Sequence, residues 1–218
     1  GTRVGDGFDE DKFNDLLKRK PVTHAILDST SSGSSDEFSV THEEAVKNTV
    51  EALRQHPEKQ VVSAVISRSI QNLAIDLDAA RQTGRKVFLD GYWAKIAYKA
   101  MQTTGVKEFD NVVFFGSVNE YKAKYPETKR YIITSGAFAE SKNGAKSGLY
   151  KMSEQEKIKS AKNKKGKELN QANSSGHTNF KVGTNTVILA RQRCIEELNG
   201  KQVRAMYNRL ASLGCTII

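Results

Sequence analysis

Short apolar runs rich in β-branched residues, each followed by a longer amphipathic stretch, predict an α/β fold with a mostly parallel sheet flanked by helices on both faces. Three observations carry that class. The runs are apolar throughout instead of alternating, as strands covered on both sides must be. The stretches between them show helical periodicity. The chain, 218 residues with 38% hydrophobic residues, is long enough to bury a substantial core.

The elements follow in order. Asp9 to Arg19 reads as a helix whose short apolar side is Phe13, Leu16 and Leu17. His24 to Asp28 is the first expected strand, followed by a helix from Glu43 to Gln55. Gln60 to Ile66 is a strand, and the helix after it, Ser69 to Thr83, places Ile70, Leu73, Ala74, Leu77 and Ala80 on one face. Asp76, Asp78, Arg81 and Gln82 are expected on the other face, and Gly84 stops the helix. Strand Arg85 to Asp90 precedes helix Tyr92 to Thr103, and strand Asn111 to Gly116 precedes helix Asn119 to Tyr125. Tyr131 to Thr134 and Thr186 to Ala190 are further strands. A helix from about Lys201 to Leu213 and a strand Cys215 to Ile218 close the chain, so sequence is expected to continue beyond Ile218.

Charge is concentrated locally. The chain carries 34 Lys+Arg against 25 Asp+Glu, a formal net charge of +9. Nine lysines between Lys142 and Lys167 face only Glu154 and Glu156, which leaves a net of about +2 for the remainder. With Ser, Asn, Gly and Gln continuing to Gly176 and few large apolar residues, 142–176 is expected to be a mobile surface insertion. It reads either as solvated lysine or as an arm touching phosphates, with Lys162, Lys164 and Lys165 as the contacts. Tyr150 is its single aromatic residue, so base stacking by this segment is not expected.

Two cysteines, Cys194 and Cys215, are too few for a disulfide framework. A buried free thiol at Cys215 and a reducing, cytoplasmic setting are expected. No run approaches the length of a membrane span, and Gly1 to Val4 has no apolar core of a signal peptide.

Ligands of open α/β sheets gather outside the carboxyl ends of the strands. That rule nominates four loops: Asp28 to Gly33, Ser67 to Ser69, Asp90 to Trp93, and Thr134 to Ala137. Their hydroxyls and small residues suit phosphate oxygens, although each Ser or Thr also serves as a helix cap, Ser69 above all. Asp28 either orients a neighbouring histidine or forms an Asx-type turn. His24, His42, His56 and His177 share no metal-ligand spacing, and Gly-x-Gly-x-x-Gly and Walker patterns are missing.

Several of these segments together resemble the β-CASP domain of metallo-β-lactamase-fold ribonucleases, closest to the ribonuclease J family. Ala25-Ile26-Leu27-Asp28-Ser29-Thr30 is similar to that family's Asp-Ser-Thr motif, and the Glu43-Glu44 helix start follows it. Val65 to Ile70, Lys86 to Gly91, and Ile132 to Glu140, which is similar to the family's Thr-Gly-Ser-Gln-Gly-Glu loop, fit in order. So do Asn185 to Leu189 and Leu213 to Ile218. The chain departs from the family at Arg191 to Asn199, where a Pro-Ile-Pro-Gly-Asn-Glu turn is usual, and in the lysine-rich insertion. His177 precedes the Asn185 to Leu189 strand and does not match the family's later histidine motifs.

The resemblance implies residues 1–20 as a linker and helix leading from a lactamase-type half outside this sequence, and 21–218 as the β-CASP-like domain with its insertion at about 142–176. It implies binding and positioning of single-stranded RNA for a metal-dependent exo- or endoribonuclease. Asp28 would be the acid at the cleft, with Ser29, Thr30, Ser67, Arg68, Ser69, Ser135 and Gly136 against the RNA. No cofactor is expected on this chain. Two zinc-type ions belong to the lactamase-type catalytic domain, without which the chain would not cut RNA. The alternatives are a stand-alone adaptor that binds a nuclease or other protein, a homodimer or nuclease complex being the assembly, and an enzyme for a small phosphorylated substrate. No membrane partner is expected.

Overall fold

The computed structural model describes residues 10–20, 40–65, 69–103, 109–113, 118–137, 139, 141–142, 145–146, 148–155, 180–190 and 199–218. Its helices are α1 (Glu10–Arg19), α2 (His42–Arg54), α3 (Ile70–Gln82), α4 (Tyr92–Thr103), α5 (Val118–Lys124), α6 (Gly148–Ser153) and α7 (Lys201–Ser212). Strands β1 (Gln60–Ala64), β2 (Lys86–Leu89), β3 (Val112–Val113), β4 (Arg130–Thr134), β7 (Thr186–Leu189) and β8 (Thr216–Ile217) form one sheet in the order β3-β2-β4-β1-β7-β8. Every pairing in it is parallel. A small antiparallel pair, β5 (Ser141–Lys142) and β6 (Ala145–Lys146), stands apart from it.

All five residues of β1 and all five of β4 are buried, which is why these strands read as mainly apolar runs without an exposed alternate face. The pleat divides them between two cores. Val61, Val65, Val87, Leu89, Tyr131, Ile133, Val187 and Leu189 pack against α2, α3 and α4. On the opposite face, Val62, Ala64, Phe88, Ile132 and Ile188 pack against α5, α6 and α7 with Phe180 and Val182. The α/β class with helices on both faces is therefore observed.

The boundaries follow the local chemistry. Thr41 caps α2, its Oγ1 accepting from the Glu44 N–H at 3.2 Å. Past Thr83, Gly84 takes a left-handed φ of 64°, which places the chain for β2.

Two expectations are corrected. Asp76 is not on a solvent face: it is fully buried, accepting from Ser63 Oγ at 2.6 Å and from Tyr131 OH at 2.8 Å. Helix α3 is sandwiched between the sheet and neighbouring helices, so its polar side narrows and a carboxylate beside Leu73 and Ala80 falls inside, kept there by two hydroxyl donors. The surface reading of 142–176 also fails for its early part. Leu149 and Met152 of α6 are core residues against α7. The expected strand at 24–28, residues 1–9 of the opening linker, Cys194 and the insertion residues 156–176 lie outside the described residues.

Candidate functional site

The strand order makes β2, β4 and β1 consecutive neighbours, so three of the four nominated loops leave the same edge of the sheet side by side. Following β2 come Asp90 and Gly91; following β4 come Ser135 and Gly136; following β1, the chain reaches Ser69 at the start of α3.

The centre of this rim is tightly tied. The Asp90 N–H donates to Ile133 O at 2.8 Å, and Thr134 Oγ1 donates to Asp90 Oδ2 at 3.0 Å. Both residues are buried, so the carboxylate is held across the β2–β4 junction. Across the other junction the Val65 N–H donates to Thr134 O at 3.0 Å. Ser135 is half-buried; its Oγ accepts from the Gly148 N–H at 3.3 Å, and its carbonyl accepts from the Leu149 N–H at 2.9 Å. Gly136 has φ 105°, a conformation that a side chain would strain, and its carbonyl closes a turn by accepting from the Ala139 N–H at 3.1 Å.

Gly148 is the residue that sequence reasoning missed here. A methyl group at that position would overlap Thr134 Oγ1 and lie 3.3 Å from Ser135 O. The start of α6 therefore lies directly on the end of β4, and only glycine allows that approach. The sole local signal was the Gly148-Leu149 pair interrupting a polar, lysine-rich segment.

Ser69 is the N-cap of α3, its Oγ accepting from the Asn72 N–H at 3.3 Å. Neither α3 nor α4 carries an acidic residue in its first turn, and both begin at this rim, so the backbone dipoles there favour an anion. Of the nominated residues, Ser69, Ser135 and Gly136 are thus brought to one edge, with Thr134 and Asp90 beside them. Asp28, Ser29, Thr30, Ser67, Arg68, Lys162, Lys164 and Lys165 lie outside the described residues.

Away from the rim, a concavity of about 470 Å³ runs along α2 and α3, with Val46 and Val50 among its apolar lining. There Asp78 is shared by His42 Nε2 at 3.2 Å and by an Arg81 guanidinium nitrogen at 2.7 Å. None of the nominated residues lines it.

No protein-family model matches the chain, and no curated protein matches it. Among the described residues, no group of three or more His, Cys, Asp or Glu is placed to hold a metal ion, and no helix is long and apolar enough to cross a membrane. What the rim offers chemically is two half-buried hydroxyls, Ser69 and Ser135, on a glycine-dependent frame, with buried Thr134, Gly136 and the fixed Asp90 carboxylate behind them.

Proposed function

We propose that this chain is the RNA-binding, substrate-positioning wall of a metal-dependent ribonuclease of the β-CASP type, catalytically incomplete by itself. The observation that carries this reading is the convergence of Ser69, Asp90, Thr134, Ser135 and Gly136 on the carboxyl edge of three adjacent parallel strands. Phosphate oxygens accept from hydroxyls, backbone N–H groups and helix starts, which are the groups gathered there. The motif similarity of Ile132 to Glu140 falls on the same turn.

In this reading, the Ser135–Gly136 turn grips a phosphate of a single strand and fixes its register. Asp90 takes no part in bond breaking; it holds Thr134 and so the turn that follows. Residues of a lactamase-type domain would hold two zinc-type ions, which supply Lewis-acid activation for phosphodiester hydrolysis. The role of this chain is to present the strand at a constant position and exclude misaligned substrates. Cytoplasmic placement and the partnership with a lactamase-type domain belong to the same proposal.

Titration of a labelled single-stranded oligouridylate at increasing KCl tests it. Affinity should fall with salt, log K changing by about 0.7 per phosphate contacted for each tenfold change in salt, while the RNA stays intact. Absence of binding, or a slope near zero, would overturn the reading.

A further inference from the structure

Helix α2 carries charge in an ordered pattern on its exposed side. Glu43, Lys47, Glu51 and Arg54 follow one another at intervals of four, four and three residues, so they share one face, within about 80° of the helix circumference and about 16 Å of its length. Their signs alternate, negative, positive, negative, positive. All four are exposed, and all four line the concavity that runs along α2 and α3.

Two observations set this face apart from an ordinary solvated one. The charges at its ends, Glu43 and Arg54, make no ion pair among the described residues. The middle pair, Lys47 with Glu51, meets at 4.0 Å with both side chains more than half exposed, a contact that contributes little and leaves both charges able to re-pair. The signs of Glu43 and Arg54 suit the helix dipole, which accounts for their placement at the two ends but not for the concavity between them. His42 and Arg81, which also line that concavity, each keep a buried side-chain nitrogen without a hydrogen-bond partner, Nδ1 and Nε respectively. Polar groups in its wall are therefore not fully satisfied by the described residues.

The alternation of sign selects the occupant. When a second α2 lies antiparallel across the first, about a two-fold axis level with Asn48 and Thr49, Glu43 of one copy meets Arg54 of the other and Lys47 of one meets Glu51 of the other. The midpoints of the two pairings lie within about half a residue of each other, less than about 1 Å of helix rise, so one register serves both. Symmetry repeats each contact, giving four ion pairs from one stripe. Parallel helices in register would set like charges together, so the pattern specifies direction as well as partner.

We propose that the concave α2 face is the isologous interface of a homodimer, formed by two copies of this chain through antiparallel α2 helices. Val46 and Val50 are buried in their own core, so the interface is polar, and the association is weak and salt-sensitive. This inference does not depend on the RNA-binding reading.

Sedimentation of the full chain in low and high KCl tests it. A dimer is expected at about 100 μM in low salt, with its dissociation constant at least about tenfold weaker in high salt. Glu43→Arg alone and Arg54→Glu alone should each weaken dimerisation by more than about tenfold, because either makes two of the four contacts repulsive. An equimolar mixture of the two variants should recover it as a heterodimer, one copy then carrying arginine at both ends of the stripe and the other glutamate. Thermal melting checks that the variants fold, and recovery in the mixture separates charge pairing from damage to the helix. A monomer under these conditions, or a dimer that neither reversal weakens, would overturn the inference. So would loss in both variants without recovery on mixing. None of these outcomes bears on RNA binding at the rim.

Discussion

The two ends of the sheet use polar residues in opposite ways. At the amino end, four strand starts carry a buried polar side chain bonded to the protein itself, although Arg85 Nε and Asn111 Oδ1 have no hydrogen-bond partner among the described residues. Gln60 Nε2 donates to Lys181 O at 2.7 Å and to Thr186 Oγ1 at 3.0 Å. Arg130 donates to Tyr125 O at 2.8 Å and Lys122 O at 3.0 Å, and it pairs with Glu127. Asn111 donates to Leu77 O at 3.1 Å, while Arg85 donates to His56 O at 3.1 Å; burial holds the Arg85 guanidinium below its ordinary pKa. At the carboxyl end there is no comparable set of long side chains among the described residues. Short hydroxyls, glycines and backbone groups form the edge, and Ser135 remains half-exposed. Long side chains bonded to protein carbonyls at one end stabilise the fold; short hydroxyls at the other are available to a ligand.

The comparison is sharpened most strongly at Gly148. Gly148→Ala forces a methyl against Thr134 Oγ1, and overpacking of this kind costs about 3 kcal/mol. Chemical denaturation should show that loss, and RNA affinity should fall with it because the displaced strand end carries Ser135. At the amino end the two effects should separate. Arg130→Ala removes donors from buried carbonyls and should cost about 2 kcal/mol in the same assay, with RNA affinity per folded molecule unchanged. A large change in affinity there would break the division between the ends. The reverse separation is expected for Ser135→Ala: stability within about 1 kcal/mol of the unaltered chain, but RNA binding about fivefold weaker.

The smallest effect concerns pH. Cys215 is a buried free thiol at the amino end of β8, and burial pushes its pKa up from the ordinary value near 9 to about 11. Below the lower value both the folded and unfolded chains hold the proton. Between the two values the unfolded chain releases it while the folded thiol keeps it, so this contribution to stability is lost as pH rises through about 11. Denaturation across that window should show the unaltered protein losing stability relative to Cys215→Ala.

Much of the fold was legible because the strands announce themselves locally. The apolar runs of β1 and β4, the cap at Ser69 and the stop at Gly84 are each written in a few contiguous residues. Asp76 was not legible: helical periodicity assumes one wet face, and α3 is enclosed more widely than that, with Ser63 in the middle of an apolar strand as the one trace of its partner. Composition averaged over 142–176 concealed Leu149 and Met152, because lysines outnumber them in any wide window. Of the candidate site, the Ser135–Gly136 turn was visible as a motif. The Thr134–Asp90 bond and the contact of Gly148 with β4 join residues distant in sequence, and no local pattern encodes them.

Amide hydrogen exchange of the full chain with and without a single-stranded oligouridylate is the most direct measurement. The account predicts added protection at residues 135–139, 148–149 and the first turn of α4, with the strand starts at Gln60, Lys86 and Arg130 unchanged. Protection confined to those strand starts, or spread evenly over both ends of the sheet, would contradict it.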